Sequence, residues 1–375
     1  MNKKIIFTVT NDLVYDRRMI RIGESLATEG YDVWLVGRIL KNSLPFENAL
    51  IQHKRFKLLF NKGKFFYLEY NIRLFFWLLF QRFDIVCGID LDTILPCYLA
   101  SIVHSALRLK GPKKAIPCVY DAHELFTEVP EVIRRPAIRR LWLAVERFIV
   151  PRLSYCYTVS QSIVEEFDRR YHTHFELIRN LPIRSTLNAA PRQTNKNIIL
   201  YQGNLNEGRG LETAIEAMQY VDNVEFWIAG DGDLGSILRG MVSDLQLEKK
   251  VKFLGYVKPQ DLDAVTHQAT IGLHILEGKG LSYQFSLANK FLDYIQAGIP
   301  QICTQFIEHQ RINDAYQVAV LIEKTDVQLL LNAIHLLVDD VDFYKRMKQN
   351  CLKAAEVLNW EMEEKRLKVF YAGIG

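Results

Sequence analysis

No stretch of this 375-residue chain stays apolar long enough to cross a bilayer as a helix. The longest aromatic run, "LFFWLLF" from Leu74 to Phe80, falls far short of the roughly 20 residues required. The opening residues, "MNKKIIFTVTND", offer two lysines and a short apolar run that ends at Asn11 and Asp12. This is less than the roughly 7 to 15 apolar residues of a secretion signal and reads as a first strand. The six cysteines, at 87, 97, 118, 156, 303 and 351, show no C-x-x-C or metal-ligand spacing. They are expected as small core residues in a reducing, cytoplasmic setting, with no metal site. The loop after the first strand, "TNDLVYDRR", contains no glycine. A Rossmann dehydrogenase, which needs a glycine-rich loop there, is disfavoured.

What the chain has is a globular balance, 49% hydrophobic and 24% charged, enough to bury cores and to exclude general disorder. Its length suggests two or three domains at roughly 150 residues each. The net charge of +4 is unevenly spread: residues 1–184 hold 28 Lys and Arg against 19 Asp and Glu, or +9, and the remainder 19 against 24, or −5. A basic half joined to an acidic half points to an anionic partner for the first, while so modest a total argues against coating nucleic acid.

Short β-branched or aromatic runs alternate with helical patterns: "KIIFTVT", "DVWLVGR", "DIVCGID", "PCVYDAH" and "YCYTVS" in the first half, then "IILYQG", "VEFWIAG", "VKFLGYV", "ATIGLHIL", "IPQICT" and "VAVLIE". This is βαβ grammar, and near-continuous apolar strands imply parallel sheets covered on both faces. The polar stretch "RSTLNAAPRQTNKN" (184–197) interrupts the alternation and reads as a linker. The expectation is an α/β chain of two Rossmann-like, doubly wound parallel-sheet domains facing a cleft. The first spans 1–184, the second 185–358, and a C-terminal helix at 359–375 packs back on the first. Ligands of such sheets lie beyond the carboxyl ends of the strands.

The candidate residues stand at those ends. After "IILYQG" comes "NLNEGRG", with Gly203, Asn204 and Arg209 entering the next helix; after "VEFWIAG" comes "DGDLG", with Gly230 and Gly232. Glycine at such turns lets backbone amides approach phosphate, although Gly-Asp-Gly alone more often only makes a tight turn. In "SLANKFLDYIQAGIPQI" a helix starts at Asn289, runs to Gln296 and is closed by Gly298, so Lys290 falls in its first turn. A cation there, like Arg209, is electrostatically misplaced unless an anion arrives. At about 4 Å from a phosphate each cation is worth on the order of 4 kcal/mol before desolvation, at an effective dielectric of 20. Asp293, one turn after Asn289, is suited to accept from two ribose hydroxyls or is a plain surface aspartate. In "YDAHELF", His123 lies at a strand end beside Asp121 and Glu124 and is read as a ligand contact. The segment 54–83 carries seven Lys and Arg against one acid, Glu69, interleaved with aromatics, and "IRRPAIRR" adds four arginines. Such faces can lie on an anionic membrane, or pack a helix on its own sheet.

Taken in order, "LATEGYDVWLVGR", "YDAHE", "TVSQSI", "YQGNLNEGRGLETAIEAM", "AGDGDL", "FLGYV" and "LANKFLDYIQAGIPQI" resemble the signatures of the retaining glycosyltransferases of family four, with the two-Rossmann GT-B fold, over nearly the whole chain. The resemblance implies catalytic roles for His123, Arg209 and Lys290. It makes Arg209 a diphosphate cation, sets Lys290 in an Asn-Lys variant of the donor loop, puts Asp293 in place of the usual ribose-binding glutamate, and brings His123 near the donor sugar. Gly203, Asn204, Gly230, Gly232 and Asn289 complete the donor-binding set. Two positions depart from the pattern: Asn204 stands where an arginine is common, and Phe285 where the first of two glutamates falls, leaving Glu277 as a candidate substitute. The expected activity is transfer of a sugar from a nucleotide-diphosphate donor to a saccharide or lipid-linked acceptor hydroxyl, with no cofactor or metal and with peripheral contact at the inner membrane face. A nucleotide-sugar epimerase and a non-catalytic nucleotide-sugar-binding subunit are the alternatives.

Overall fold

A computed structural model of the chain describes residues 2–107, 115–185, 196–278 and 280–374, with the backbone alone at 259 and 260. Most of the polar segment 184–197 lies outside the described residues. The chain divides into two compact units, Met1–Arg179 with Glu364–Gly375, and Asn180–Glu363.

In the first unit the strands are β1 (Lys4–Asp12), β2 (Asp32–Ile39), β3 (Ile51–Lys57), β4 (Ile85–Ile89), β5 (Cys118–Ala122), β6 (Tyr155–Thr158) and β7 (Glu176–Leu177). They form one sheet in the order β3-β2-β1-β4-β5-β6-β7, every pair parallel. In the second unit β8 (Asn197–Gln202), β9 (Val224–Ala229), β10 (Val251–Gly255), β11 (Ile271–His274), β12 (Gln301–Thr304) and β13 (Ala319–Ile322) form a second parallel sheet in the order β10-β9-β8-β11-β12-β13. Each sheet reverses its winding once, between β1 and β4 and between β8 and β11. Crevices beyond the strand ends at such reversals are the ligand positions of open α/β sheets.

Burial accounts for the strand sequences. β4, β5 and β9 are buried at every residue, as their unbroken apolar runs require, whereas β10 alternates between buried or half-buried and exposed positions because it is an edge strand with one neighbour. The same logic divides residues 54–83, one basic and aromatic stretch in the sequence, between two elements. Ile51–Lys57 is the other sheet's edge strand, with Ile51 and Phe56 buried and Lys54 and Lys57 exposed; charge on an edge discourages pairing with another chain. The helix itself begins at Gly63 and runs to Leu79.

The helix Trp360–Ala372 starts in the second unit and finishes in the first. In the first unit its Tyr371 is fully buried, edge-on to Phe7 at 5.9 Å and to Tyr157 at 6.2 Å. Ser25 Oγ donates to Glu364 Oε2 at 2.9 Å, and Lys368 pairs with Glu29 at 3.2 Å. Within the second unit the start of this helix is tied to the chain at residue 182, Trp360 N donating to the Pro182 carbonyl at 2.8 Å.

Candidate functional site

In the second unit the ends of β8 and β9 are held together by glycine. Gly203 has φ +135° and Gly230 φ +155°. A Cβ on Gly230 would stand 1.9 Å from the Gly203 carbonyl oxygen, and one on Gly232 would stand 2.7 Å from both the backbone nitrogen and oxygen of Leu205. Leu205 N donates to the Asp231 carbonyl at 3.0 Å and Leu234 N to the Leu205 carbonyl at 2.9 Å. The Gly-Asp-Gly turn is therefore a backbone-to-backbone packing device that fixes the neighbouring turn carrying Gly203 and Asn204.

Lys290 joins that turn from the helix Asn289–Gln296. Its ammonium lies 3.1 Å from where a Gly203 Cβ would be and 3.8 Å from the ring centroid of Tyr201. Any side chain at 203 would displace it. The Tyr201 hydroxyl donates to the Asn204 carbonyl at 2.7 Å, so the ring that supports the cation is itself anchored. Arg209 precedes the helix Leu211–Ala217, whose N-cap is Gly210 at φ +65°, so it lies before that helix and not within it. Its guanidinium sits 5.4 Å from the Tyr283 ring centroid, and its Nε is buried without a hydrogen-bond partner. Among the described residues neither Arg209 nor Lys290 forms an ion pair. Burial first, and then Arg209, push the Lys290 ammonium well below the usual lysine range, with Asp293 pulling weakly the other way.

Asp293 is half-buried and accepts a bond from Gln202 Nε2 at 3.0 Å. Asn289 is exposed and turned elsewhere, accepting from Asn180 Nδ2 at 2.8 Å, so it does not join the Lys290 group. Glu277, the proposed substitute for the carboxylate missing at Phe285, donates its backbone N–H to the Gly208 carbonyl at 3.0 Å. It borders a recess of about 480 Å³ shared with Gln284, Gln305, Lys324 and Thr325, at the ends of β11, β12 and β13.

The motifs gave no sign of His274, the last residue of β11. It is fully buried with both ring nitrogens unpartnered. Burial, then His309, Lys290 and Arg209, depress its pKa well below the usual value. Its ring meets that of His309 at 5.0 Å, and His309 Nδ1 donates to the Thr304 carbonyl at 2.8 Å. Histidine inside an apolar strand carries no distinguishing sequence pattern.

In the first unit His123 stands just beyond β5 and is the centre of a charged cluster. Its Nε2 lies 3.0 Å from Asp121 Oδ2 and 3.1 Å from Arg18 Nε, and Arg18 Nη2 pairs with Asp121 Oδ1 at 3.1 Å. Arg18 also donates to the Ile178 carbonyl at 3.0 Å. Burial alone would raise the Asp121 carboxyl, but Arg18 and His123 outweigh it and hold the group below the ordinary value. Burial alone would lower His123; Asp121 and Asp90 overcome this and raise it to about 9. Around this centre burial lifts Asp90 to about 8, Glu124 to about 7 and Asp92 to about 6. Arg18 closes the glycine-free "TNDLVYDRR" stretch and lies in the first turn of the helix Arg17–Thr28, 105 residues before His123, and only the fold joins them.

A family model described as glycosyl transferases group 1 matches residues 184–354, and one described as glycosyltransferase family 4 matches residues 16–182. Among curated proteins none matches the chain by sequence. Solved structures share the fold over nearly the full length of both chains. The sucrose-phosphate synthase of Thermosynechococcus elongatus is 18% identical with a TM-score of 0.76, covering 100% of this chain and 99% of the other. Anabaena HepE in complex with UDP and glucose is 15% identical with a TM-score of 0.76, covering 99% and 100%. WaaG, a glycosyltransferase involved in lipopolysaccharide biosynthesis, is 15% identical with a TM-score of 0.73, covering 98% and 99%. With two adjoining domain matches running from residue 16 to residue 354 over two parallel-sheet units, the chain belongs to the group 1 glycosyl transferases with a family 4 N-terminal domain, and it is a glycosyltransferase.

Proposed function

We propose that this glycosyltransferase moves a sugar from a nucleoside-diphosphate donor to an acceptor hydroxyl with retention of anomeric configuration, in building a cell-surface polysaccharide or glycolipid. The observation that carries the donor reading is the meeting of Lys290 with the Gly203 turn, close enough to Arg209 for the two cations to repel, with no ion pair for either among the described residues. Two unneutralised cations in one partly dry site are costly unless a dianionic group binds them. A diphosphate supplies that charge, and Asp293, steadied by Gln202, is placed to accept from ribose hydroxyls. HepE, which shares the fold, has been solved with UDP and with UDP-glucose.

In the reaction the bond between the anomeric carbon and the donor phosphate oxygen breaks, the acceptor oxygen bonds to that carbon, and the acceptor proton leaves with the departing diphosphate. Negative charge grows on the diphosphate as the bond lengthens, and fixed cations stabilise it without reorganising. His123, held charged by Asp121 and about one-fifth exposed, presents a positive ring to a ligand oxygen at the strand ends of the first unit. Contact with an anionic membrane, through the exposed side of the helix Gly63–Leu79, would bring a lipid-linked acceptor to the enzyme.

Screening nucleotide sugars for thermal stabilisation identifies the donor, because a ligand that binds the folded state must raise its apparent stability. With that donor, Arg209→Ala and Lys290→Ala should each lower turnover roughly 10²- to 10³-fold, the loss expected for one oxyanion-stabilising donor. Wild-type turnover in both variants would overturn the assignment.

A further inference from the structure

We infer that Asp90 is a positioning residue that fixes the orientation and the charge of His123, an inference that rests on reading His123 as a ligand contact. Asp90 follows β4 with φ +56°, in the left-handed region that side-chain-bearing residues seldom occupy and that glycine occupies freely. A non-glycine residue held there invites a functional explanation, and its contacts give one. Its backbone N–H donates to the Asp121 carbonyl at 2.9 Å, latching the end of β4 to the end of β5. Its Oδ1 accepts the backbone N–H of His123 at 2.8 Å, and its Oδ2 lies 3.9 Å from His123 Nδ1. One side chain thus holds the His123 main chain by a hydrogen bond and sets a second oxygen near Nδ1 of the ring, while Asp121 takes Nε2. Arg18 neutralises Asp121; among the described residues no arginine or lysine pairs with Asp90. The side chains of Asp90 and His123 remain about one-fifth exposed, at 22% and 23%, so the pair faces accessible space at the rim of the sheet and not a sealed core.

The other charged groups around the ring are accounted for. Arg18 comes from the helix Arg17–Thr28 and Glu124 follows His123 in the chain. Asp92 opens the helix Leu91–Leu107 and accepts from Thr10 Oγ1 at 2.7 Å. Arg38 acts on Asp92 and Glu131 on Glu124. Among the described residues, Asp121 and Asp90 are the two carboxylates within 4 Å of the imidazole nitrogens. Asp121 is already committed to Arg18, which makes Asp90 the group whose removal changes the ring without opening a buried arginine.

The test is a titration of the His123 ring by NMR in the full-length protein, assigned from its loss in His123→Gln, for wild type, Asp90→Asn, Asp90→Gly and Asp92→Asn. Asp90→Gly relieves the backbone and removes the carboxylate, so it keeps the fold if the asparagine variant does not. The expected result is that both Asp90 variants move the His123 titration down by about one pH unit or more, as for loss of an adjacent opposite charge, while Asp92→Asn moves it little. With a donor in hand, the alkaline limb of kcat against pH should shift by the same amount. Folded Asp90→Gly with an unchanged His123 titration would overturn the inference, as would a lowered melting temperature with no change in the ring. The NMR readout needs no turnover, so it stands apart from any failure to find a donor.

Discussion

Lys290 is a cation that the folded chain holds at a disadvantage. Its environment removes water and adds the like charge of Arg209. Its folded pKa lies below the ordinary 10.5, so between the two values the unfolded chain carries more protons than the folded one. The contribution of this group to stability therefore rises with pH across that window. A bound diphosphate reverses the preference by favouring the ammonium. Within the window between the lowered pKa of Lys290 and its ordinary value, binding of UDP or GDP should accordingly take up a proton and weaken as pH rises, which calorimetry in two buffers of different ionisation heat measures directly. Lys290→Met should abolish the uptake and weaken binding about 10- to 100-fold, as for one lost charged hydrogen bond. It should also stabilise the ligand-free protein by about 1 kcal/mol, the usual scale when a functional strain is relieved. Unaltered affinity and proton uptake in that variant would remove Lys290 from the diphosphate. The misfit of Lys290 at a helix start was legible in the sequence, because position along a helix follows from local pattern. Its support by Tyr201 and the bare Cα of Gly203 was not, because those residues lie about 90 positions away and only sheet packing brings them together.

The helix Gly63–Leu79 poses the question of membrane contact at the scale of an element. Phe66, Tyr70, Leu74 and Leu78 are buried, which accounts for one apolar side. Phe65, Leu68, Ile72 and Phe76 recur at spacings of three and four on another side and are exposed, with Phe60 and Phe80 at its two ends. A helix apolar on both sides, with only one of them covered by its own core, has a second surface still to satisfy. Lys62, Lys64 and Arg73 border it and are exposed, and the +9 of the first half supplies the long-range attraction. Vesicles with anionic headgroups should therefore sediment the protein at low salt, each basic residue near the surface contributing about 1 kcal/mol. Neutral vesicles or high salt should release it. Phe65→Ser with Phe76→Ser should cut binding at least tenfold, since a buried phenylalanine contributes about 1.5–3 kcal/mol. Equal sedimentation of that double variant would assign the surface to something other than lipid. The sequence marked this stretch as basic and aromatic but could not separate edge strand from helix. Ile51 to Lys57 alternates only loosely, and its buried residues, Ile51 and Phe56, have a spacing that fits neither period well.

At the scale of the molecule the two parallel sheets were legible, because β4, β5 and β9 are buried throughout and so read as unbroken apolar runs. The order of strands was not, since nothing local tells β4 to pair with β1 and not with β3. The limits of the units were not legible either: one falls between Arg179 and Asn180, ahead of the polar stretch at 184–197, and the other inside the helix Trp360–Ala372, at Glu363 and Glu364, where helical periodicity runs on unbroken. That division yields the remaining test. Every group assigned to the nucleotide diphosphate, Gly203, Arg209, Lys290 and Asp293, belongs to Asn180–Glu363. A ligand held there opposes only those openings that dismantle its own site, by about 2.7 kcal/mol at a hundredfold excess over Kd. Saturating UDP or GDP should therefore slow native-state amide exchange up to about a hundredfold in β8, β9 and the helix Asn289–Gln296. Amides of β1, β4 and β5 that exchange by local opening should keep their rates. Protection confined to the first unit would place the diphosphate there, and would leave Arg209 and Lys290 without the anion their burial demands.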